Sequence, residues 1–136
     1  MHVTDLLIAE HRLLRVMMKQ LGDSVRGRAP VEQLRAQASI VAAAFADHAQ
    51  IEEDVLAPTL RHLSSDAAYF TGNMQVMDDV IALMLGEVSQ PGCDVPCCLQ
   101  DAIRLAEAQF DEEEAEVFPI AVAALTPTTQ IVAGLA

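Results

Sequence analysis

His48-Ala-Gln-Ile-Glu52-Glu53-Asp54-Val-Leu56-Ala57-Pro58 returns 61 residues later as Gln109-Phe-Asp-Glu-Glu113-Glu114-Ala-Glu-Val117-Phe118-Pro119. In both stretches an acid pair follows four residues after the first position, an apolar residue follows at eight and a proline at ten. On a helix, side chains four apart project from one face, separated by about 6 Å along the axis. The first copy therefore sets an imidazole and a carboxylate side by side. The second sets an amide and a carboxylate in the same phase. Two such helices facing one another assemble a site for one cation, with one copy altered from His to Gln.

Around these copies the chain reads as helix throughout. Leu6, Leu7, Leu13, Leu14, Met17, Met18 and Leu21 recur at three and four, the helical period. Thr4 is a candidate N-cap and Gly22 a candidate stop, which predicts a first helix over about 4–21. Pro30 opens a second helix to about 63, with Pro58 bending it or ending its main part. Ser64-Ser65-Asp66 caps a third, about 66–88, and Gln90-Pro91-Gly92 is a turn. Pro96 opens a fourth helix to about 124, and Thr126-Pro127 caps a short last one to about 135. The fold class is all-α. Four long segments with short connections make an up-down-up-down four-helix bundle with a short C-terminal helix, one domain over 1–136. The two copies fall on the second and fourth helices, which run parallel in such a bundle and meet at one level of the core.

Composition narrows the functions. Apolar residues make up 52 % of the 136, yet aromatics only 4 %, which suits packed Ala/Leu helices. Net charge is −12. Almost all of it lies after residue 62, where Arg104 stands alone against twelve acids. A surface this acidic argues against nucleic acids and anionic membranes, and suits cations or a basic partner. No apolar run approaches the length that spans a bilayer. Met-His-Val-Thr-Asp lacks the basic start and apolar core of a signal peptide. Cys93, Cys97 and Cys98 form no disulfide framework. The cytoplasm is the expected compartment.

All four histidines, His2, His11, His48 and His62, precede residue 63. His11 lies between Ile8 and Leu14 on the apolar stripe of the first helix. Alone it would be read as a packed core histidine. Beside the His48/Glu52 pair and its acidic copy, it reads as a ligand.

Ala9-Glu10-His11-Arg-Leu-Leu14, His48-x3-Glu52-Glu53 to Pro58, and Glu112-Glu113-Glu114-Ala-Glu-Val-Phe118-Pro119 together resemble the hemerythrin-like family of HHE cation-binding domains. The resemblance covers almost the whole chain. It implies a non-haem iron pair inside the bundle. By the family pattern His11 and His48 hold one metal, while Glu52 and Glu113 bridge to a second. The sequence departs from the pattern at that second metal. Met74-x3-Asp78 stands where the family has histidine in helix 3, and Gln109 stands for histidine in helix 4. Asp78 and Gln109 are thus weaker candidate ligands. Met and a Gln carbonyl are poor partners for iron. The resemblance implies a mono- or dinuclear iron centre, with Zn or Mn as further candidates. Its implied role is binding or sensing oxygen, another small diatomic or iron itself. Two alternatives stay open: a metal-free bundle serving structure or protein interaction, and a small oxidase or peroxidase.

Overall fold

The computed structural model describes residues 3–62, 67–86 and 94–124. Within them the chain is helical, in the order α1 (Val3–Arg26), α2 (Val31–His62), α3 (Ala67–Leu85), α4 (Val95–Glu112), a π-helical turn (Glu113–Val117) and the short α5 (Phe118–Ala124). Each long helix packs on the next and α4 returns to α1, so the four close into a bundle. The expected last helix at about 126–135 lies outside the described residues, as does the Ser64-Ser65-Asp66 cap.

The ends of α1 differ from expectation at both sides. Val3 is 1 % exposed and Thr4 2 %, so Thr4 is packed inside the first turn rather than standing ahead of it. Gly22 lies within the helix. The stripe Leu14, Met18, Leu21 continues to Val25, and burial of Val25 carries the helix one turn past the glycine. Ile103 of α4 lies 3.7 Å from where a Gly22 Cβ would stand. The actual stop is at Arg28, whose φ is 57°. There Arg28 N–H donates to Val25 O (3.1 Å) and Ala29 N–H to Ser24 O (3.0 Å). These paired bonds close a helix end through a left-handed residue.

Pro58 does not end α2, which runs on to His62. Pro58 and Asp54 are both exposed. Pro58 has no N–H to give the Asp54 carbonyl, and the helix bears that loss on its exposed side. Gly86, with φ 75°, closes α3. At α4, Pro96 lies in the first turn as expected. Cys97 is free and exposed, whereas Cys98 is disulfide-bonded, so the three cysteines are not all thiols. Among the described residues, no helix is long and apolar enough to cross a membrane.

The core falls into two apolar layers. The larger includes Leu14, Met18, Phe45, Ala49, Met77, Val80, Ala106 and Phe110. The smaller comprises Leu7, Leu56, Val117, Phe118 and Ala121. Their order along the chain reports direction. Helix α1 passes from the small layer to the large, while α2 and α4 pass from the large to the small. Thus α2 and α4 run parallel and α1 runs against them, as the up-down-up-down arrangement requires.

A left-handed conformation costs a non-glycine residue about 1–2 kcal/mol, against roughly 0.5–1 kcal/mol for the extra freedom of an unfolded glycine. Arg28→Gly is therefore expected to stabilise the protein by about 0.5–1 kcal/mol in urea unfolding. Unchanged or lower stability would show that the Arg28 side chain contributes more than its backbone costs.

Candidate metal centre

Between the two apolar layers lies a polar one. His11 follows Leu7 and precedes Leu14; Glu52 lies between Ala49 and Leu56; Glu113 lies between Phe110 and Val117. Each of these polar side chains occupies a core position in its helix, one turn from an apolar neighbour. His11, Glu52 and Glu113 are 0–1 % exposed and His48 2 %.

One ligand atom from each of the four lies within 4.8 Å of the others. His11 Nε2 is 3.0 Å from His48 Nε2, 3.1 Å from Glu113 Oε1 and 3.7 Å from Glu52 Oε1. His48 Nε2 is 2.6 Å from Glu52 Oε1. Both imidazoles thus point the same nitrogen inward. Donors held at about 2.1 Å from one ion stand about 3.0 Å apart at adjacent octahedral positions and about 3.4 Å apart at tetrahedral ones, both within the range of these separations. Two Nε2 atoms face two carboxylates, so at most two protons, one on each imidazole, serve a group rich in lone pairs. A divalent cation satisfies all four at once, and the donor set fits a transition metal.

The copies correspond position by position. Gln109 (5 % exposed) matches His48, Glu113 matches Glu52, and Val117 (6 %) matches Leu56 (1 %). Pro119 and Pro58 are both exposed. One difference is local. After Glu112 the second copy loosens into a π turn, in which Phe118 N–H donates to Glu113 O. Pro119 follows at once, lacks an N–H and crowds the carbonyl four residues back, and a wider turn relieves that crowding.

Asp78 does not join the cluster. Met77, Val80 and Met84 form the buried stripe of α3, and Asp78, a third of a turn from Met77, is exposed. The expectation that it points inward is therefore corrected. Asp78 was a candidate because it falls where the resembled family has histidine, whereas the described stripe of α3 faces the core with Met77, Val80 and Met84. The side chain of Met74 lies outside the described residues. Gln109 does face the interior.

Other contacts around the cluster were not assigned from sequence. His48 Nδ1 is 2.6 Å from Glu10 Oε1. Phe110 stacks on His11 at 4.0 Å between ring centroids, and Phe45 stacks on Phe110 at 5.2 Å. Arg15 donates to Glu114 (2.8 Å) and to Asp111 (2.9 Å). The signals were present: Glu10 adjoins His11, Arg15 lies one turn beyond it, and Glu114 adjoins Glu113. Which imidazole each would face depends on packing across helices.

The comparisons bear on the same layer. The model of the hemerythrin HHE cation-binding domain matches residues 2–121. The chain belongs to the hemerythrin HHE cation-binding family. Comparison with curated proteins and with solved structures gives no match. The buried cluster of this family member is a group that could hold a metal ion.

Without a metal, the layer is held by charge pairing. Burial pushes the Glu52 carboxyl up, but hydrogen bonds from His11 and His48 outweigh it and bring it down to about 2. Burial pushes His48 down, while its hydrogen bond and charge attraction to Glu52 outweigh that and raise it above the ordinary 6.5. The Glu52 contribution to stability is therefore complete above about 4.5 and is lost as pH falls toward 2. The His48 contribution is complete below 6.5 and is lost as pH rises through the raised value. Chelator-treated protein is expected to melt highest between about pH 4.5 and 6.5 and lower on both sides. His48→Ala should remove the alkaline fall. A wild-type profile that the variant reproduces would rule out the His48–Glu52 pair as its source.

Proposed function

We propose that this hemerythrin-family chain holds one non-haem iron(II) ion through His11, His48, Glu52 and Glu113, in binding or sensing oxygen or another small diatomic. The observation that carries this is the convergence of four buried ligand atoms, two of them Nε2 atoms 3.0 Å apart. Two imidazoles with carboxylate oxygens leave a divalent ion with open positions, the donor set that suits non-haem iron(II). When bound, the iron supplies a redox-active centre at which a diatomic can take an open position. The protein's own part is to aim both Nε2 atoms inward, neutralise the charge with two carboxylates and exclude bulk water between the apolar layers. Zn or Mn fits the same donors.

One ion per chain is favoured over two by the far side of the layer. A second metal would share Glu52 and Glu113, yet Asp78 is exposed and Gln109 offers only an amide. Among the described residues, the four-residue group is the only cluster of three or more His, Cys, Asp or Glu able to hold a metal.

A metal-free structural or interaction module is the second reading. It is favoured by the His48–Glu52 contact of 2.6 Å, which pairs two of the four groups without a cation. An oxidase or peroxidase would use the same centre, and hydrogen peroxide turnover by iron-loaded protein tests it.

Metal analysis of protein purified without chelator or affinity tag is expected to give close to one ion per chain. Affinity should rise with pH through a point above 6.5, because binding displaces the His48 proton. His48→Ala should abolish binding while circular dichroism stays helical. Two equivalent tight ions per chain would overturn the mononuclear assignment. Absence of any binding by iron, zinc or manganese would leave the structural module.

A further inference from the structure

The two histidines of the cluster are supported unequally on their outer nitrogens. His48 Nδ1 meets Glu10 Oε1 at 2.6 Å, a contact that fixes the ring and leaves Nε2 free for a ligand. Among the described residues, the buried His11 Nδ1 has no hydrogen-bond partner. The carboxylate that could serve it, Glu114, is close by, with Oε1 at 3.8 Å, beyond hydrogen-bonding distance. The other oxygen of Glu114 accepts from Arg15 at 2.8 Å, and Arg15 also donates to Asp111 at 2.9 Å. The Arg15 guanidinium carbon lies 5.4 Å from the centre of the Phe110 ring. Phe110 in turn stacks on His11. Arg15 therefore reaches His11 twice: it draws away the carboxylate that would bond Nδ1, and it backs the ring that covers the imidazole face.

We propose that Arg15 is a positioning residue that withholds Glu114 from His11, so that His48 is the anchored metal ligand and His11 the exchangeable one. This rests on the metal-binding proposal above. A carboxylate on the outer N–H of a ligating histidine fixes its tautomer and raises its basicity, and loss of such a partner commonly weakens metal affinity 10- to 100-fold. Gaining one should act in the opposite sense. When Arg15 no longer competes, Glu114 is free to close the remaining distance to Nδ1. Breaking a stabilising ion pair is then expected to strengthen the site, which a purely structural role of Arg15 does not allow.

The test is a titration of metal-free full-length protein with cobalt(II), read in the visible absorption of the bound ion. Arg15→Gln should bind about tenfold tighter than wild type, at the lower end of that range. Arg15→Lys, which keeps the charge and one bond to Glu114, should bind as wild type does. In the Glu114→Ala background, Arg15→Gln should bring no gain. In zinc-loaded protein, Arg15→Gln should also move the His11 Nδ1–H proton resonance downfield, as a new bond to carboxylate requires. Equal or weaker binding by Arg15→Gln would overturn the proposal. So would a gain that persists without Glu114, since that gain comes from removal of a positive charge alone. Wild-type protein that takes up no cobalt would instead sink the metal-binding proposal, and this one with it.

Discussion

Four buried polar atoms that face one another set the terms for the rest of this bundle. His11 Nε2 and His48 Nε2 stand 3.0 Å apart, with carboxylate oxygens of Glu52 and Glu113 at 2.6 and 3.1 Å from one or the other. Burying an ion costs several kcal/mol even after the protein relaxes. A polar layer in the middle of a helical core is a burden unless something neutralises it. A proton shared by His48 and Glu52 does this in part. A divalent cation does so for all four groups, and it requires the donors to be aimed as they are. The two apolar layers on either side then serve as the frame. They set the phase of each helix, so that one turn of α1, two of α2 and the π turn after α4 deliver their polar residues to the same level.

The second copy shows how the frame adapts. In a regular turn Pro119 would crowd the carbonyl four residues back. The chain answers with the π turn Glu113–Val117, which keeps Glu113 and Val117 inward and brings Phe118 in after them. In the first copy the equally exposed Pro58 stays within the α-helix, and α2 continues beyond it. Two segments with one pattern thus reach equivalent burial through different backbones.

Much of this was legible from residue spacing. The 61-residue repeat put Glu52 and Glu113 in one phase, and helical periodicity put His11 on the apolar stripe between Ile8 and Leu14. Both follow from the fixed rotation per residue of a helix. Asp78 was placed inward by its match to the family's helix 3 histidine position, whereas the buried side of α3 among the described residues is Met77, Val80 and Met84, packed on two neighbouring helices. The length of α1 was misjudged at Gly22 because the apolar contact of Val25 outweighs the weak helix preference of one glycine. The outer contacts of Glu10, Arg15 and Glu114 were beyond spacing altogether. They depend on which helix faces which, and local periodicity carries no such information.

The proposed mononuclear centre is tested most directly by X-ray absorption at the metal edge of protein loaded with iron(II). The account predicts a first shell of two imidazole nitrogens with oxygen donors, lost in His48→Ala, and no metal neighbour. A second iron at about 3.5–4 Å, the separation usual for paired sites, or a first shell without imidazole, would contradict it.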